Sequence, residues 1–510
     1  MAKLLLTKCA LIVAGIGATL MAILVLRTTL YFSIPQELIN CENIDEHKPI
    51  TDERHVVDRF IQALRFKTIT KAPQDYDSHQ IQLFIEFLNR SFPLVHSSNL
   101  VELKIINERS LLYHISGSDK SLKPYLLLGH LDVVPAQEDK WDVSPFGGIV
   151  KDGYIYGRGT VDLKDVVMGL LESLEFLLEN RFSFQRSLYI AIGHDEEGRG
   201  LDGAKQTSHY LRSIGINEFE YILDEGPFIL NGVILGTDRS VAMIGVTEKG
   251  FMNVKLTAKG AVGHSSVPPM ETSIVSLSKK LSKFGGHTHP NYFGRGLEKD
   301  MIEALAPYCS LVYKVLFSNL WLFGPFVSKL LENHLVMNSY VRTTTAVTMF
   351  KSGVKDNILP DEASATINHR IYPLSSVSET LEYDREVVDD ERISVEVLGV
   401  PIEPHPISPY GDKSFGFQTI KKSIRQVFPH VVVIPGVMTA ATDTRWFLNF
   451  TQNIYRFSPA YISMADLPRI HGHNERISID NYMKLVNFYH HVIIASNERC
   501  LSPQKLKDEL

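Results

Sequence analysis

The stretch YLLLGHLDVVP, from Tyr125 to Pro135, places two polar side chains directly after an apolar run. The apolar residues predict a buried strand, and His130 and Asp132 stand two positions apart at its end. In an extended backbone alternate residues point to the same side. A carboxylate beside an imidazole holds one ring nitrogen and leaves the other free to bind a ligand. Taken alone, such a pair is more typical of a structural hydrogen bond on a buried histidine.

Apolar strands and amphipathic helices alternate around this stretch. Two amphipathic helices precede it, at Thr51–Leu64 and Asp77–Phe92. The predicted elements are strands at Lys123–Leu128, Ser187–Gly193 and Glu218–Leu223, with helices at Asp165–Asn180 and Gly203–Ile214. This order predicts an α/β fold in which a sheet with a parallel core is covered by helices on both faces.

The pattern changes at Gly250. Six elements follow in the order β-α-β-β-α-β, at Phe251–Ala258, Ser273–Phe284, Thr343–Phe350, Ala363–Tyr372, Ser376–Val388 and Ile393–Val400. That order is typical of a small ferredoxin-like α+β domain inserted into the larger one. The larger domain resumes with a helix at Ser414–Phe428, a strand at Val431–Ile434 and a helix at Asp480–Ser496. We therefore divide the chain into an N-terminal segment (1–49), two catalytic parts (50–247 and 402–510) and the insert (248–401).

Composition excludes several functional classes. The 510 residues carry a net charge of −6, so the surface has no basic excess for nucleic acid. The four cysteines are too few for a disulfide scaffold. No two of them are close enough in sequence to suggest a cysteine metal site.

The N-terminus predicts a membrane anchor. The uncharged run Cys9–Leu26 is 18 residues long, just enough to cross a bilayer. Lys3 and Lys8 precede it, which favours a cytoplasmic N-terminus and a lumenal remainder. A cleaved signal peptide is the alternative, but no clear small-x-small site ends the run.

Two further signals indicate the same compartment. The chain ends in Lys507–Leu510, the endoplasmic-reticulum retrieval sequence KDEL. Asn89 and Asn449 begin glycosylation sequons. We expect a glycoprotein of the endoplasmic reticulum or secretory pathway, anchored in the membrane with its catalytic domain in the lumen.

Four more polar clusters follow predicted strands or lie in loops. They are GRGTVDLKD with Asp162, GHDEEGRG with Glu196 and Glu197, LDEGPF with Asp224 and Glu225, and HGHNERI with His471 and His473. Ligands of open α/β sheets bind beyond the carboxyl ends of the strands, so these segments can converge. Histidine nitrogens and carboxylate oxygens without thiolates suit zinc. Two histidines and three acids suffice for two zinc ions that share a carboxylate, and a spare glutamate can act as a general base.

Two other enzyme classes fit less well. Gly198–Gly203 reads GRGLDG, which matches the GxGxxG dinucleotide fingerprint. Asp195, Glu196 and Glu197 immediately precede it and would repel a pyrophosphate. A serine hydrolase lacks support because the chain contains no G-x-S-x-G.

The motifs GHLDVVP, GRGTVDLKD, GHDEEGRG, LDEG, GAVGHSS and HGHNERI, in this order, resemble the di-zinc aminoacylase/carboxypeptidase family of peptidases. The resemblance covers residues 50 to 500, and it is greatest for the branch of fatty-acyl amino acid synthase/hydrolases and carboxypeptidase S. It implies two Zn²⁺ per subunit and an inserted lid or dimerisation domain. It also implies these roles: metal ligands His130, Asp162 (bridging), Glu197, Glu225 and His471, an orienting Asp132 and a general base Glu196.

For some of the residue roles that the resemblance implies, an alternative residue or interpretation remains open. Asp224 remains an alternative to Glu225, whereas the H-x-x-N-E spacing selects His471 over His473. His264 in GAVGHSS matches the lid histidine that stabilises the oxyanion, often across a homodimer. Asn357 and Arg445 match positions that hold the substrate carboxylate, and each is equally typical of a structural polar group.

The resemblance implies hydrolysis, and possibly synthesis, of the amide bond of N-acyl amino acids. We favour fatty-acyl substrates over Gly-X dipeptides, because the apolar stretch Leu311–Leu331 in the insert offers a surface for an acyl tail. A packed helical pair is the other interpretation of that stretch. Lys314, Lys329 and the Gly324-Pro325 pair argue against a second membrane span. An inactive lumenal metal-binding scaffold is the alternative from another functional class.

Overall fold

The computed structural model describes residues 2–31, 49–285 and 289–497. The retrieval sequence Lys507–Leu510 lies outside the described residues. The helices are α1 (Ala2–Leu26), α2 (Glu53–Ala63), α3 (Ser78–Ser91), α4 (Pro93–Ser97), α5 (Lys164–Glu179), α6 (Ala204–Ser213), α7 (Ser273–Leu281), α8 (Leu297–Leu305), α9 (Leu311–Ser318), α10 (Leu320–Glu332), α11 (Val377–Val388), α12 (Phe415–Val427) and α13 (Ile479–Asn497).

The strands are β1 (Thr70–Ala72), β2 (Asp75–Tyr76), β3 (Val101–Ile106), β4 (Ser110–Ile115), β5 (Tyr125–His130), β6 (Ile149–Lys151), β7 (Tyr154–Tyr156), β8 (Leu188–Gly193), β9 (Ile222–Asp224), β10 (Ile229–Leu230), β11 (Val241–Glu248), β12 (Gly250–Lys259), β13 (Gly263–His264), β14 (Thr344–Ser352), β15 (Ile358–Leu359), β16 (Glu362–Ile371), β17 (Ile393–Ile402), β18 (Val432–Met438), β19 (Ile454–Arg456), β20 (Tyr461–Ile462) and β21 (Arg476–Ser478).

A large mixed sheet forms the centre of the molecule. Its strands lie in the order β20-β10-β11-β19-β9-β5-β8-β4-β3, and β18 pairs with β11. The four central strands β19, β9, β5 and β8 are parallel, whereas the β3–β4 hairpin adds to β8 in the antiparallel sense. The carboxyl ends of the parallel strands therefore meet at one edge of the sheet.

Helices cover this sheet because each buries an apolar stripe against it. Along α5 nearly every side chain of the first three turns is buried, and α13 packs directly against α5. Helix starts follow the capping residues of the sequence. Asp52 accepts a hydrogen bond from the backbone N–H of His55 at the start of α2, and Asp77 does the same for Gln80 at α3.

A second, four-stranded antiparallel sheet is formed by residues 250–402 in the order β14-β16-β12-β17. In chain order the four strands occupy the second, third, first and fourth places, which is the ferredoxin-like arrangement. Leu277 of α7 and Val388 of α11 belong to the same apolar cluster as Val254 and Ile367 of the sheet. The predicted α/β class with an inserted ferredoxin-like unit is confirmed.

The helices α8, α9 and α10 separate the first helix of the insert from its second strand. They do not pack on the four-stranded sheet. Met301 of α8 and Phe317 of α9 are buried in the same hydrophobic core as Ile244 of the large sheet, and α8 lies against β18. This part of the insert thus contributes to the wall of the larger unit.

The N-terminal helix extends away from the rest of the protein. The helical span Thr7–Leu30 is apolar and long enough to cross a membrane, and none of its most apolar window is buried in the protein. Its last turn, Arg27–Tyr31, widens into a π-helix and contacts α9.

Candidate active site

The site lies at the carboxyl ends of three adjacent parallel strands. His130 is the last residue of β5, Asp224 ends β9 with Glu225 directly after it, and the short helical turn Glu196–Gly198 follows β8. Because β9, β5 and β8 are neighbours, their ends converge as the sequence predicted.

Two side chains from outside these strands complete the cluster. Asp162 precedes α5, and His471 lies in the loop before β21. The Asp162 carboxylate lies between two imidazoles. Its Oδ1 is 3.1 Å from His130 Nε2, and its Oδ2 is 2.8 Å from His471 Nε2. Asp162 thus presents one oxygen to each imidazole, an arrangement compatible with a carboxylate that two metal ions would share.

Each imidazole also faces a glutamate. His471 Nε2 is 3.2 Å from Glu197 Oε1, and His130 Nε2 is 3.7 Å from Glu225 Oε1. These distances define two groups that share Asp162, one with His471 and Glu197 and the other with His130 and Glu225. His130 also belongs to two sets whose ligand atoms all lie within 4.8 Å of one another, one with Asp162 and Glu197 and one with Glu196 and Glu225.

Asp132 lies fully buried behind these ligands. Its Oδ1 is 3.3 Å from His130 Nδ1, and its backbone oxygen is 2.9 Å from the same nitrogen. The Asp132 carboxylate also accepts hydrogen bonds from the backbone N–H groups of Glu196 (3.1 Å) and Glu197 (3.2 Å). One side chain thus orients the histidine and holds the turn that carries two glutamates.

The structure separates the two acids of LDEG. Glu225 lines the cavity and faces His130, whereas Asp224 Oδ1 accepts the backbone N–H of Glu225 at 2.9 Å and its side chain does not line the cavity. Asp224 therefore supports the turn, which favours Glu225 as the ligand.

The raised pKa values of the buried glutamates indicate that their ionised forms are unfavourable without nearby cations. Burial raises the pKa of Glu196 to about 8, raises that of Glu197, and raises that of Glu225 well above its ordinary value. The carboxylates of Asp162 and Glu197 raise the pKa of His471 to about 11. Without metal, the histidines act as counter-ions to the acids.

The donor set fits divalent metal ions. Glu197 Oε1 is buried, and its partner is His471 Nε2 at 3.2 Å, an atom that is itself a candidate metal ligand. Imidazole nitrogens and carboxylate oxygens are zinc ligands, and a shared carboxylate is a suitable bridge between two metals.

A buried ion pair that the sequence analysis missed ties two ligand loops together. Glu475 accepts hydrogen bonds from Arg158 (2.6 Å) and from the backbone N–H groups of Gly159 and Val161 (both 3.0 Å). Arg158 in turn donates to the backbone oxygen of His471 at 3.2 Å. The loops that carry Asp162 and His471 therefore share one clamp. The Asn474-Glu475 pair of the H-x-x-N-E pattern could have indicated this contact, but the pattern was used only to assign His471 as a ligand.

Arg445 reaches the site from a short helical turn, Asp443–Trp446. It donates to Glu196 Oε1 at 2.7 Å and to the backbone oxygen of Thr442 at 2.8 Å. Behind it, Glu248 accepts from Thr442 and Arg456 in a fully buried network. The guanidinium is thus fixed beside the predicted base.

His264 and Asn357 lie elsewhere. His264 ends β13, whose partner β15 begins directly after Asn357, and both side chains are exposed. His264 Nδ1 is 2.8 Å from Ser266 Oγ. Within the described residues, neither side chain lines the cavity or contacts a predicted metal ligand. The structure does not bring these two residues to the cluster within one chain.

A cavity of about 640 Å³ opens above the cluster. Asp162, Glu196, Glu197, Glu225 and His471 line its polar end together with Arg445. The remaining wall is mainly apolar and includes Phe228, Leu230, Met243, Phe251, Val336, Tyr340, Ile402, Val437 and Leu467. The candidate metal-ligating side chains and Arg445 thus share one cavity with a mainly apolar wall.

One further group of metal-ligating type occurs among the described residues, in the small sheet. His289, His369 and Asp384 are buried there, with His369 Nε2 2.9 Å from Asp384 Oδ2. None of the three lines the cavity, so they are not part of the candidate active site.

Comparison with known families decides the classification. The model of the peptidase family M20/M25/M40 matches residues 126–495. The chain belongs to this family. It is 40% identical over 487 residues to the N-fatty-acyl-amino acid synthase/hydrolase PM20D1 of Xenopus tropicalis, covering 96% of this chain and 94% of that protein. It is 41% identical over 486 residues to the probable carboxypeptidase S-like 2 of Dictyostelium discoideum, covering 94% and 92%.

Solved structures show the same fold at low identity. Human carnosine dipeptidase 1 superposes with a TM-score of 0.64 at 15% identity, over 87% of this chain and 96% of that one. An M20 family metallo-carboxypeptidase from Sulfolobus solfataricus gives 0.63 at 17% identity, over 88% and 100%. The predicted membership of a metal-dependent peptidase family is confirmed.

Proposed function

We propose that the protein is a two-zinc amidohydrolase that cleaves, and in reverse forms, the amide bond of N-fatty-acyl amino acids. The observation that carries this proposal is the cavity, whose lining combines the carboxylate cluster with a mainly apolar wall. Each methylene of an acyl chain buried there contributes about 0.8 kcal/mol. A chain of about a dozen carbons can therefore dominate recognition. The names of the amphibian and other vertebrate relatives, each an N-fatty-acyl-amino acid synthase/hydrolase, support the same substrate class.

The chain's own residues supply the proton transfers. Zinc held by His130, His471 and the acids would polarise the amide carbonyl and lower the pKa of the attacking water. Glu196 removes a proton from that water as its oxygen attacks the carbonyl carbon. The same carboxyl group then delivers the proton to the amide nitrogen as the C–N bond breaks. The products are a fatty acid and a free amino acid.

Arg445 couples substrate binding to the base. Its guanidinium is bound to Glu196 at 2.7 Å and is suited to a second, substrate carboxylate. When the amino acid carboxylate binds Arg445, it competes with Glu196 for the same N–H groups. Glu196 is then released to act on water, so a substrate with a free carboxylate prepares its own base.

We propose that His264 and Asn357 act from a second copy of the chain. Both are exposed on the β13–β15 ribbon of the insert and point at no ligand of their own chain. In a homodimer formed through the small domain, His264 would donate to the oxyanion and Asn357 would bind the substrate carboxylate.

A substrate panel tests the proposed reaction. We expect kcat/KM to be highest for an oleoyl-amino acid, lower for an acetyl-amino acid and lowest for a Gly-X dipeptide. Glu196→Gln should keep its zinc and lose turnover by orders of magnitude, since the general base is removed. Chelation should abolish activity and Zn²⁺ should restore it. Normal hydrolysis by the Gln variant would show that the base is assigned to the wrong residue.

A dipeptide carboxypeptidase is the second candidate. The carboxypeptidase S-like relative of Dictyostelium and the fold of carnosine dipeptidase favour it. It prevails if kcat/KM for the dipeptide exceeds that for the oleoyl substrate tenfold, and a tenfold lead of the acetyl compound would likewise overturn the fatty-acyl proposal. A wild-type chain that binds two zinc ions but turns over no member of the panel is a metal-binding scaffold.

We further propose that the protein is anchored in the endoplasmic-reticulum membrane with its catalytic part in the lumen. The apolar span Thr7–Leu30 and the C-terminal KDEL support this location. Deletion of Lys507–Leu510 should send the protein onward, so that its glycans acquire Golgi processing. Unchanged glycans and location would rule out retrieval.

A further inference from the structure

The helices α9 and α10 leave an apolar surface that neither core covers. The two helices, here called the apolar hairpin (Leu311–Glu332), are bent by 116° at Asn319. Large side chains on both helices are exposed, with Leu311 74%, Trp321 53% and Phe326 59% accessible. On α10 the exposed positions 321, 322, 325, 326 and 329 share one side of the helix, because they are one, three or four residues apart.

The hairpin lies directly against the end of the N-terminal helix. Arg27 Nε donates to the backbone oxygen of Ser318 at 3.2 Å, and Asn319 Nδ2 donates to Thr28 Oγ1 at 3.2 Å. Thr28 is buried in this contact, whereas the most apolar window of the span before it is not buried in the protein. The bend of the hairpin is therefore held at the point where the apolar span ends.

The lengths of these helices decide what can cover the hairpin. The span Thr7–Leu30 is roughly 36 Å long at 1.5 Å per residue, enough for a hydrocarbon core of about 30 Å. The hairpin helices of 8 and 13 residues are too short to cross. A bent amphipathic pair at the end of a membrane span lies in the plane of the interface, where tryptophan is favoured.

We infer that the apolar hairpin inserts shallowly into the lipid leaflet from which the N-terminal helix emerges. The charged end agrees with this arrangement. Lys329 continues the exposed side one turn beyond Phe326 and pairs with Glu332 at 3.1 Å, and a long lysine side chain at this position reaches from the apolar surface to water. The first turns of the hairpin are then in lipid and its last turn in water.

Insertion gives the cavity a route to the membrane, a consequence that rests on the proposed function. Val336, Ser339 and Tyr340 follow α10 closely in the chain and line the cavity. A hairpin seated in the leaflet holds this wall at the bilayer surface. An acyl chain can pass from lipid along the hairpin to the apolar wall without crossing water, and its amide reaches the carboxylate-rich end.

Fluorescence of the full chain in lipid nanodiscs tests the insertion. The protein has three tryptophans, and the difference between wild type and Trp321→Phe isolates the emission of Trp321. We expect phosphatidylcholine with a shallow doxyl label to quench that difference spectrum by at least about half. Unquenched Trp321 emission would overturn the insertion. A Trp321 emission that shifts with protein concentration in detergent would show that a second copy covers the hairpin instead.

Kinetics separate the membrane route from the reaction itself. Leu322→Glu with Phe326→Glu should lower kcat/KM at least tenfold for bilayer-embedded oleoyl-amino acid and leave a soluble acetyl-amino acid unchanged. Leu100→Glu with Val150→Glu is the matched control, because those side chains are similarly exposed on the large unit. Full activity of the hairpin variant on embedded substrate would overturn the route. Failure of the wild type on both substrates would overturn the proposed function, while quenching would still decide the insertion.

Discussion

At the scale of single residues, Arg445 contacts Glu196 at 2.7 Å, and we propose that this contact couples substrate binding to catalysis. Arg445→Ala should lower kcat/KM for an N-acyl amino acid about a hundredfold or more, because a buried charge-assisted contact to the substrate carboxylate is lost. The corresponding neutral N-acyl amide should lose far less. The measurement is the ratio of kcat/KM for the two substrates. An equal loss on both would show that Arg445 acts only on the fold of the site.

The pH profile follows from the same pair. Burial raises the pKa of Glu196 to about 8, and the positive charge of Arg445 acts in the opposite direction. A general base must be ionised, so kcat/KM falls as pH drops below this pKa. Bound zinc adds positive charge, so the acid limb of the loaded enzyme should lie below pH 8. With the neutral N-acyl amide as substrate, Arg445→Ala should shift the acid limb of the kcat/KM profile to higher pH. Arg445→Lys keeps the positive charge and should leave the limb in place.

At the scale of elements, the loops that hold Asp162 and His471 depend on Glu475. Glu475→Gln leaves Arg158 buried without its counter-ion, which costs about 3–5 kcal/mol. We expect the free energy of unfolding to drop by that amount and zinc affinity to fall at least about tenfold. Denaturant unfolding and zinc competition titration measure both. Asp480→Asn, which breaks an exposed pair with Lys484, is the control and should cost less than 1 kcal/mol.

Elements with a clear period were predictable, and contacts between distant segments were not. The strand ending at His130 and the helix at Lys164–Glu179 follow from local apolar patterns, and the converging strand ends follow from the parallel order. The β3–β4 hairpin was not predicted, because Val101–Ile106 mixes charged and apolar residues on an edge. The Arg158–Glu475 clamp joins residues 317 positions apart. No local spacing encodes such a contact.

At the scale of the whole molecule, the exposed positions of His264 and Asn357 raise the question whether residues of two chains form one active site. Co-expression of His264→Ala with Glu196→Gln should restore about a quarter of wild-type activity if His264 acts from a partner. About half of the dimers formed by equal amounts are mixed, and each mixed dimer holds one intact site of two. Each variant alone should be inactive. Absence of recovery in isolated mixed dimers would place His264 in its own chain's site.

The small sheet is connected to the large one through β12 and β17. Its first and last strands are register neighbours, with Phe251 opposite Ile402, and both of these side chains line the cavity. The chain therefore enters and leaves the small sheet through neighbouring strands. This sheet can change in length without shifting a strand of the large one, whereas α8 and α9 cannot, because they are buried in the core of the large unit. A change at Phe251 or Ile402 alters the cavity wall, so substrate choice can change while the candidate metal ligands of the active site, which all lie outside residues 251–402, stay in place.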